Sequence, residues 1–227
     1  MLHAHPRVFS HGEVFLRYEK TFEGRRRPDP IRYLLRDRRR AGRRHFVFSV
    51  HFLHGQHLRP DLVNLRLEEF LDAIRDRGFE RVALLERRNY LRVLLSLQAG
   101  LLREQWHVPA DAKSEPWVFE LDPGAVEFAR TRLPLIAWLE EFERGYAEAR
   151  RLVAARQGLY LTYEEDVLPD PRIGYQKLCA VLGEQPVEVE VPLRRANPFA
   201  IRDMLRNFDE VERELRGTRF AWMLEEE

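Results

Sequence analysis

Apolar positions along this chain follow two rhythms. HFVFSVHF, residues 45–52, sets β-branched and aromatic side chains in near-alternation, the period-two pattern of a strand. Leu67, Phe70, Leu71 and Ile74 then return at helical spacing, and Gly78 follows where a C-terminal cap belongs. RVALLE, residues 81–86, is a short apolar run bounded by charge, as in a strand covered on both faces of a parallel sheet. From Asn89, a good N-cap, Val93, Leu94, Leu97 and Leu101 line one helical face.

Further along, residues 103–123 read as loop, with Pro109, Pro116 and Pro123. A long helical region is predicted over 124–156, kinked or split at Pro134. LYLTY, residues 159–163, is another short strand, and helices near 171–182 and 199–216 are ended by Gly183 and Gly217. Strand–helix–strand–helix order from 45 to 102 predicts βαβ units and a parallel sheet. With neither repeat nor linker, residues 1–227 form one α/β domain.

Residues 17–44 stand apart as a basic stretch interrupted by Gly24, Pro28 and Pro30. No long helix is expected before about Ile31, and the stretch reads as a solvated connection carrying one short helix, or as a patch that concentrates an anionic ligand. Composition narrows this only slightly. Apolar residues make up 44% and charged residues 33%, as in a globular protein, and the formal charge of +1 argues against wholesale nucleic-acid binding. A single cysteine, Cys179 on an apolar helix face, fits a buried thiol and a reducing, cytoplasmic setting. No apolar run approaches the ~18–20 residues that span a bilayer, and the start lacks the basic region and apolar core of a secretory signal.

Ligands of parallel sheets bind at the carboxyl ends of strands. Two such junctions carry chemistry. In ERRNYLRVLLS, residues 86–96, Arg87 and Arg88 end a strand and Ser96 lies two turns into the next helix, so both residue types can reach one phosphate. In LTYEEDVLPDPRIGYQKLCAVLG, residues 161–183, Tyr163 stands at the mouth of the cleft, either to stack on a base or to pack beneath a helix-capping acidic turn.

Together these segments resemble sulfotransferases of the bacterial type that use 3′-phosphoadenosine 5′-phosphosulfate (PAPS). LLERRNYLRVLLSLQAG is similar to their 3′-phosphate-binding segment, with the Arg-to-Ser spacing of Arg88 to Ser96. YEEDVLPDPRIGYQKLCAVLG resembles their later signature, RRANPFAIRDMLRNFDEVERELRGTRFAWML their C-terminal segment, and HPRVFSHGEVF the segment after their first helix. The resemblance implies a three-layer fold like that of P-loop NTPases and transfer of a sulfuryl group to an acceptor hydroxyl. Arg88 and Ser96 would hold the 3′-phosphate with Arg87 contributing, and Tyr163 would lie against the adenine. Glu13 would take the acceptor proton, with His11 as the competing candidate on the same face of an extended segment. The acceptor class is a small-molecule, sugar or lipid-linked hydroxyl, with neither a metal nor a nucleic-acid partner.

The family's first strand and its Arg-, Ser-, Gly- and Thr-rich loop for the 5′-phosphosulfate have no counterpart, and MLHAHP resembles the end of the helix that follows that loop. A start assigned to an internal methionine is the favoured expectation, beside a genuine truncation or a diverged chain. As written, the chain is expected to bind PAPS poorly, to transfer nothing and, with a central strand lost, to self-associate. Three rival readings stand beside this one. A nucleotide kinase lacks its GxxxxGK[ST] loop here. A non-catalytic Arg-rich binder of anionic ligands on the same fold is the runner-up. A metal site from His3, His5, His11, Glu13, His51, His54 and His57 lacks any HExxH or Cys-assisted spacing.

Overall fold

A computed structural model describes residues 1–53, 56–103, 108–109, 116–191, 193–195 and 198–225. In chain order these form β1 (Val8–Glu13), α1 (Val14–Thr21), α2 (Pro30–Arg38), β2 (His45–Ser49), α3 (Leu67–Arg75), β3 (Ala83–Glu86), α4 (Tyr90–Arg103) and β4 (Val108–Pro109). There follow β5 (Val126–Phe128), β6 (Thr131–Leu133), α5 (Leu135–Ala155), β7 (Leu159–Thr162), α6 (Tyr163–Asp166), α7 (Pro171–Leu182), β8 (Leu193–Arg194), α8 (Ile201–Met204) and α9 (Phe208–Leu215). The fold is mixed α/β with short parallel sheets. No described helix is long and apolar enough to cross a membrane.

The parallel strands form two half-sheets. β1 pairs with β2, Val8 opposite His45, and β3 pairs with β7, Ala83 opposite Leu159. Among the described residues no ladder joins β2 to β3, so both present an unpaired edge where one continuous sheet was expected. Helix α5 covers one face of the β3–β7 pair, burying Trp138, Leu139, Phe142, Tyr146, Ala149 and Val153 at spacings of three and four. The opposite face is thinly covered, and Leu85 in mid-strand is 51% exposed. The two halves meet through the turn before β3: the ring of Phe79 lies 6.1 Å from Phe46 and 5.3 Å from Phe48, and Arg38 Nη1 donates to the Arg77 carbonyl at 2.7 Å. The segments that lead into β2 and into β3 are therefore adjacent.

Three elements differ from the sequence pattern. Residues 126–133, predicted helical, are the β5–β6 hairpin, with Val126 and Phe128 buried and Glu127 exposed between them. Its two-residue turn, Ala129 and Arg130, has φ of 47° and 69° without a glycine, so the usual hairpin signal is missing. Pro134 then precedes the first residue of α5 instead of kinking a longer helix. Two short helices, α1 and α2, stand where one was expected; α1 forms because Val14, Phe15 and Tyr18 share a buried face, and the Tyr18 hydroxyl donates to the Pro28 carbonyl at 2.5 Å. The predicted 199–216 helix is split into α8 and α9, since the Arg206 N–H donates to the Phe119 carbonyl at 2.9 Å and the Asn207 side chain binds both backbone groups of Leu121.

Candidate functional site

The β3–β7 junction is built from a buried carboxylate. Glu86, 1% exposed, accepts from the Tyr90 hydroxyl at 2.6 Å, the Tyr160 hydroxyl at 2.8 Å and Arg150 Nη1 at 2.6 Å to each oxygen. Every lone-pair direction has a donor, which is what allows a charge to remain at this depth. Burial pushes the phenols of Tyr90 and Tyr160 up, that of Tyr160 to about 12, and the Glu86 charge adds to both shifts. The network pins the last residue of β3, so the two arginines that follow leave the sheet at a fixed place.

Asn89 caps α4 as its sequence suggests: its Oδ1 accepts from the Arg92 N–H at 3.0 Å and its Nδ2 donates to the Met223 carbonyl at 2.9 Å. A second, unforeseen cap comes from across the junction. Glu164 Oε1 accepts from the backbone N–H of Arg88 at 2.8 Å and of Asn89 at 3.3 Å. The rest of that turn is held by local hydrogen bonds. Thr162 Oγ1 accepts from the Glu165 N–H at 3.3 Å, and Asp166 accepts from the Thr162 N–H at 2.7 Å and Lys177 Nζ at 2.5 Å. Burial alone would raise the Asp166 carboxyl; those two hydrogen bonds outweigh it and hold the group below its ordinary range.

Three of the predicted nucleotide-site residues thus come together. Arg87 lies over the Tyr163 ring at 4.5 Å, and Arg88, half-exposed, approaches Glu164 Oε2 at 3.5 Å and Glu165 Oε1 at 3.0 Å. Tyr163 is the first residue of α6, held beside the arginines by the acidic turn, so capping and presentation of the ring coexist. Ser96 is half-buried two turns into α4 and is not drawn into this cluster. Glu86 and Glu164 are the residues sequence reasoning missed. Their one signal was acidity at a strand end and directly after Tyr163.

The other half-sheet carries the predicted base. Gly12 has φ of 68°, and the pairing shifts between Ser10 and Glu13, so one extra residue enters the end of β1. That bulge breaks the alternation which would have set His11 and Glu13 on one face. The His11 side chain is buried and its Nε2 lies 2.5 Å from Asp37 Oδ2, while Glu13 is turned toward His51 (3.4 Å from Oε1 to Nε2) and His57 (3.9 Å from Oε2 to Nε2). The bulge also sets Gly12 at a strand-to-helix junction, directly before α1, which the sequence had not suggested.

His57 is locked in place. Its Nδ1 accepts from the His51 N–H at 3.1 Å and its own N–H donates to the His51 carbonyl at 3.0 Å. The neutral ring therefore carries its proton on Nε2, facing Glu13. Burial and the neighbouring His51 lower its pKa to about 4. The cluster is arranged for hydrogen bonding to a half-exposed carboxylate. Of the candidate metal-ligand histidines, His5 is buried and paired with the Gln185 carbonyl at 3.1 Å, and His54 lies outside the described residues, as do residues 104–107 and 110–115 of the 103–123 loop.

No family model, no curated protein and no solved structure matches this chain.

Proposed function

We propose that the junction of β3 and β7 is a nucleotide site and that the chain belongs to PAPS-dependent sulfuryl transfer to a hydroxyl acceptor. The observation that carries the reading is the grouping of Arg87, Arg88 and Tyr163 at the carboxyl ends of two paired parallel strands. On this reading Arg88 takes the 3′-phosphate and the face of Tyr163 takes the adenine, while Ser96, the other predicted phosphate contact, stands apart from that cluster on α4. Arg87 already occupies one face of that ring, so its role is to hold the ring as much as to meet phosphate. Glu13 accepts the proton of the attacking hydroxyl as the bond to sulfur forms, the loose transition state needing a base and not a strong nucleophile. His11, paired with Asp37, serves that role less well.

A P-loop-NTPase-like sheet is part of the same proposal. One parallel strand between the open edges of β2 and β3 would make the half-sheets continuous, and a helix on the Leu85 face would cover it. On this reading the described residues meet the nucleotide from its 3′ side, through Arg88 and Tyr163 at the β3–β7 junction. Calorimetric titration with adenosine 3′,5′-bisphosphate tests the site. Weak binding that Arg88→Ala reduces by about tenfold, the worth of one charge-assisted contact, is expected. Affinity unchanged in Arg88→Ala, or no binding at all, rejects it.

A further inference from the structure

The end of the molecule opposite this site is strongly basic. Residues 36–44 lead into β2 and residues 75–81 into β3, and together they hold nine arginines against two exposed acids, Asp76 and Glu80. The third acid, Asp37, is buried against His11. The whole chain carries only +1, so positive charge is segregated here. The two turns form one surface, joined by the bond from Arg38 to the Arg77 carbonyl.

The guanidinium groups are held on a platform. Arg36 lies over Tyr33 at 5.4 Å, Arg38 over Phe79 at 5.0 Å and Arg44 over Phe9 at 5.0 Å. Arg39, Arg43 and Arg81 are exposed and meet no carboxylate among the described residues. Because the surface lies at the amino ends of the strands, it does not steer a nucleotide toward Arg88.

We propose that this surface docks on the phosphate headgroups of an anionic bilayer. Three features favour that partner over other polyanions. The aromatic rings that would stack on unpaired bases are covered by arginines. The surface is two adjoining turns, not an extended helix or ribbon fitted to a groove of a duplex. None of the large exposed apolar side chains lies in residues 36–44 or 75–81, so contact is with headgroups and leaves the acyl chains untouched. The proposal is independent of the nucleotide site, and either can fail alone.

Vesicle co-sedimentation of the full chain tests it. The comparison is phosphatidylcholine alone against phosphatidylcholine containing about one third phosphatidylglycerol, at low and at high salt. Binding only to the anionic vesicles, lost at high salt, is expected. Arg39→Glu with Arg43→Glu, four units of charge together, should weaken it by about six-hundredfold, at roughly fivefold per unit of charge near the surface. Arg132→Glu with Arg151→Glu, exposed positions elsewhere, changes net charge equally and should weaken it far less. Equal loss in both double variants, binding to a DNA duplex without binding to anionic vesicles, or no binding to vesicles would each overturn the proposal. Unchanged melting curves of both variants confirm that surface charge alone was altered.

Discussion

Glu164 places its Oε1 2.8 Å from the backbone nitrogen of Arg88, so a carboxylate already occupies the start of α4 where a phosphate would be received. The same side chain also receives the Asn89 N–H, and its Oε2 lies beside the Arg88 guanidinium. An intramolecular anion thus competes with any bound one for the same donors.

Glu164→Ala should therefore have two opposed effects. Two backbone donors at the helix start lose their partner, which costs about 1–2 kcal/mol in urea unfolding. Affinity for adenosine 3′,5′-bisphosphate should rise several-fold, since Arg88 and the helix start are released. A loss of stability with no gain in affinity would mean that phosphate does not approach this end of α4.

Glu86 fixes the strand end on which the arginines stand. Removing it in Glu86→Ala strands Arg150 and two hydroxyls and should cost about 3 kcal/mol. The phenols report on it directly. Tyr146, through burial, and Tyr160 hold their protons to about pH 12, whereas an unfolded tyrosine loses its proton near 10. Their contribution is complete below about pH 10 and disappears as pH climbs toward 12. Ultraviolet titration should show late ionisation in the native chain and, for Tyr160, an earlier one in Glu86→Gln.

How much of this was readable beforehand depends on where each determinant lies. The strands at 45–49, 83–86 and 159–162 were legible because burial imposed a local pattern on them. The β5–β6 hairpin was not, because its turn uses Ala129 and Arg130 at positive φ and offers neither Asn nor Gly. Arg87, Arg88 and Tyr163 were legible as strand-end residues. The separation of His11 from Glu13 was hidden in a single residue, Gly12, whose left-handed backbone lets the bulge form. Glu86 was invisible as a site because its partners Arg150 and Tyr160 are 64 and 74 residues away.

The open edges of β2 and β3, with Leu85 on the uncovered face, expose backbone donors and apolar surface together. Concentration-dependent self-association should appear in sedimentation equilibrium. Leu85→Lys places a charge on that face and should shift the population toward monomer, with a stability change within about 1 kcal/mol because the position is half exposed. A wild-type chain that is monomeric across the concentration range would show that the face is covered by other means.

His57 gives the Glu13 cluster a pH signature. Its pKa of about 4 lies below the ordinary 6.5, so beneath pH 6.5 the unfolded chain binds a proton that the native chain refuses. Stability from this group is therefore full above about pH 6.5 and declines as pH falls toward 4, by at most about 3 kcal/mol. Glu13 opposes the shift, so Glu13→Gln should lower the His57 pKa further and leave the ring neutral at still lower pH. Nitrogen-detected spectra of the two ring nitrogens should place the proton on Nε2 at neutral pH, the tautomer fixed by the His51 N–H. A proton on Nδ1, or a ring that titrates near 6.5, would separate His57 from Glu13 and leave the carboxylate without an oriented donor.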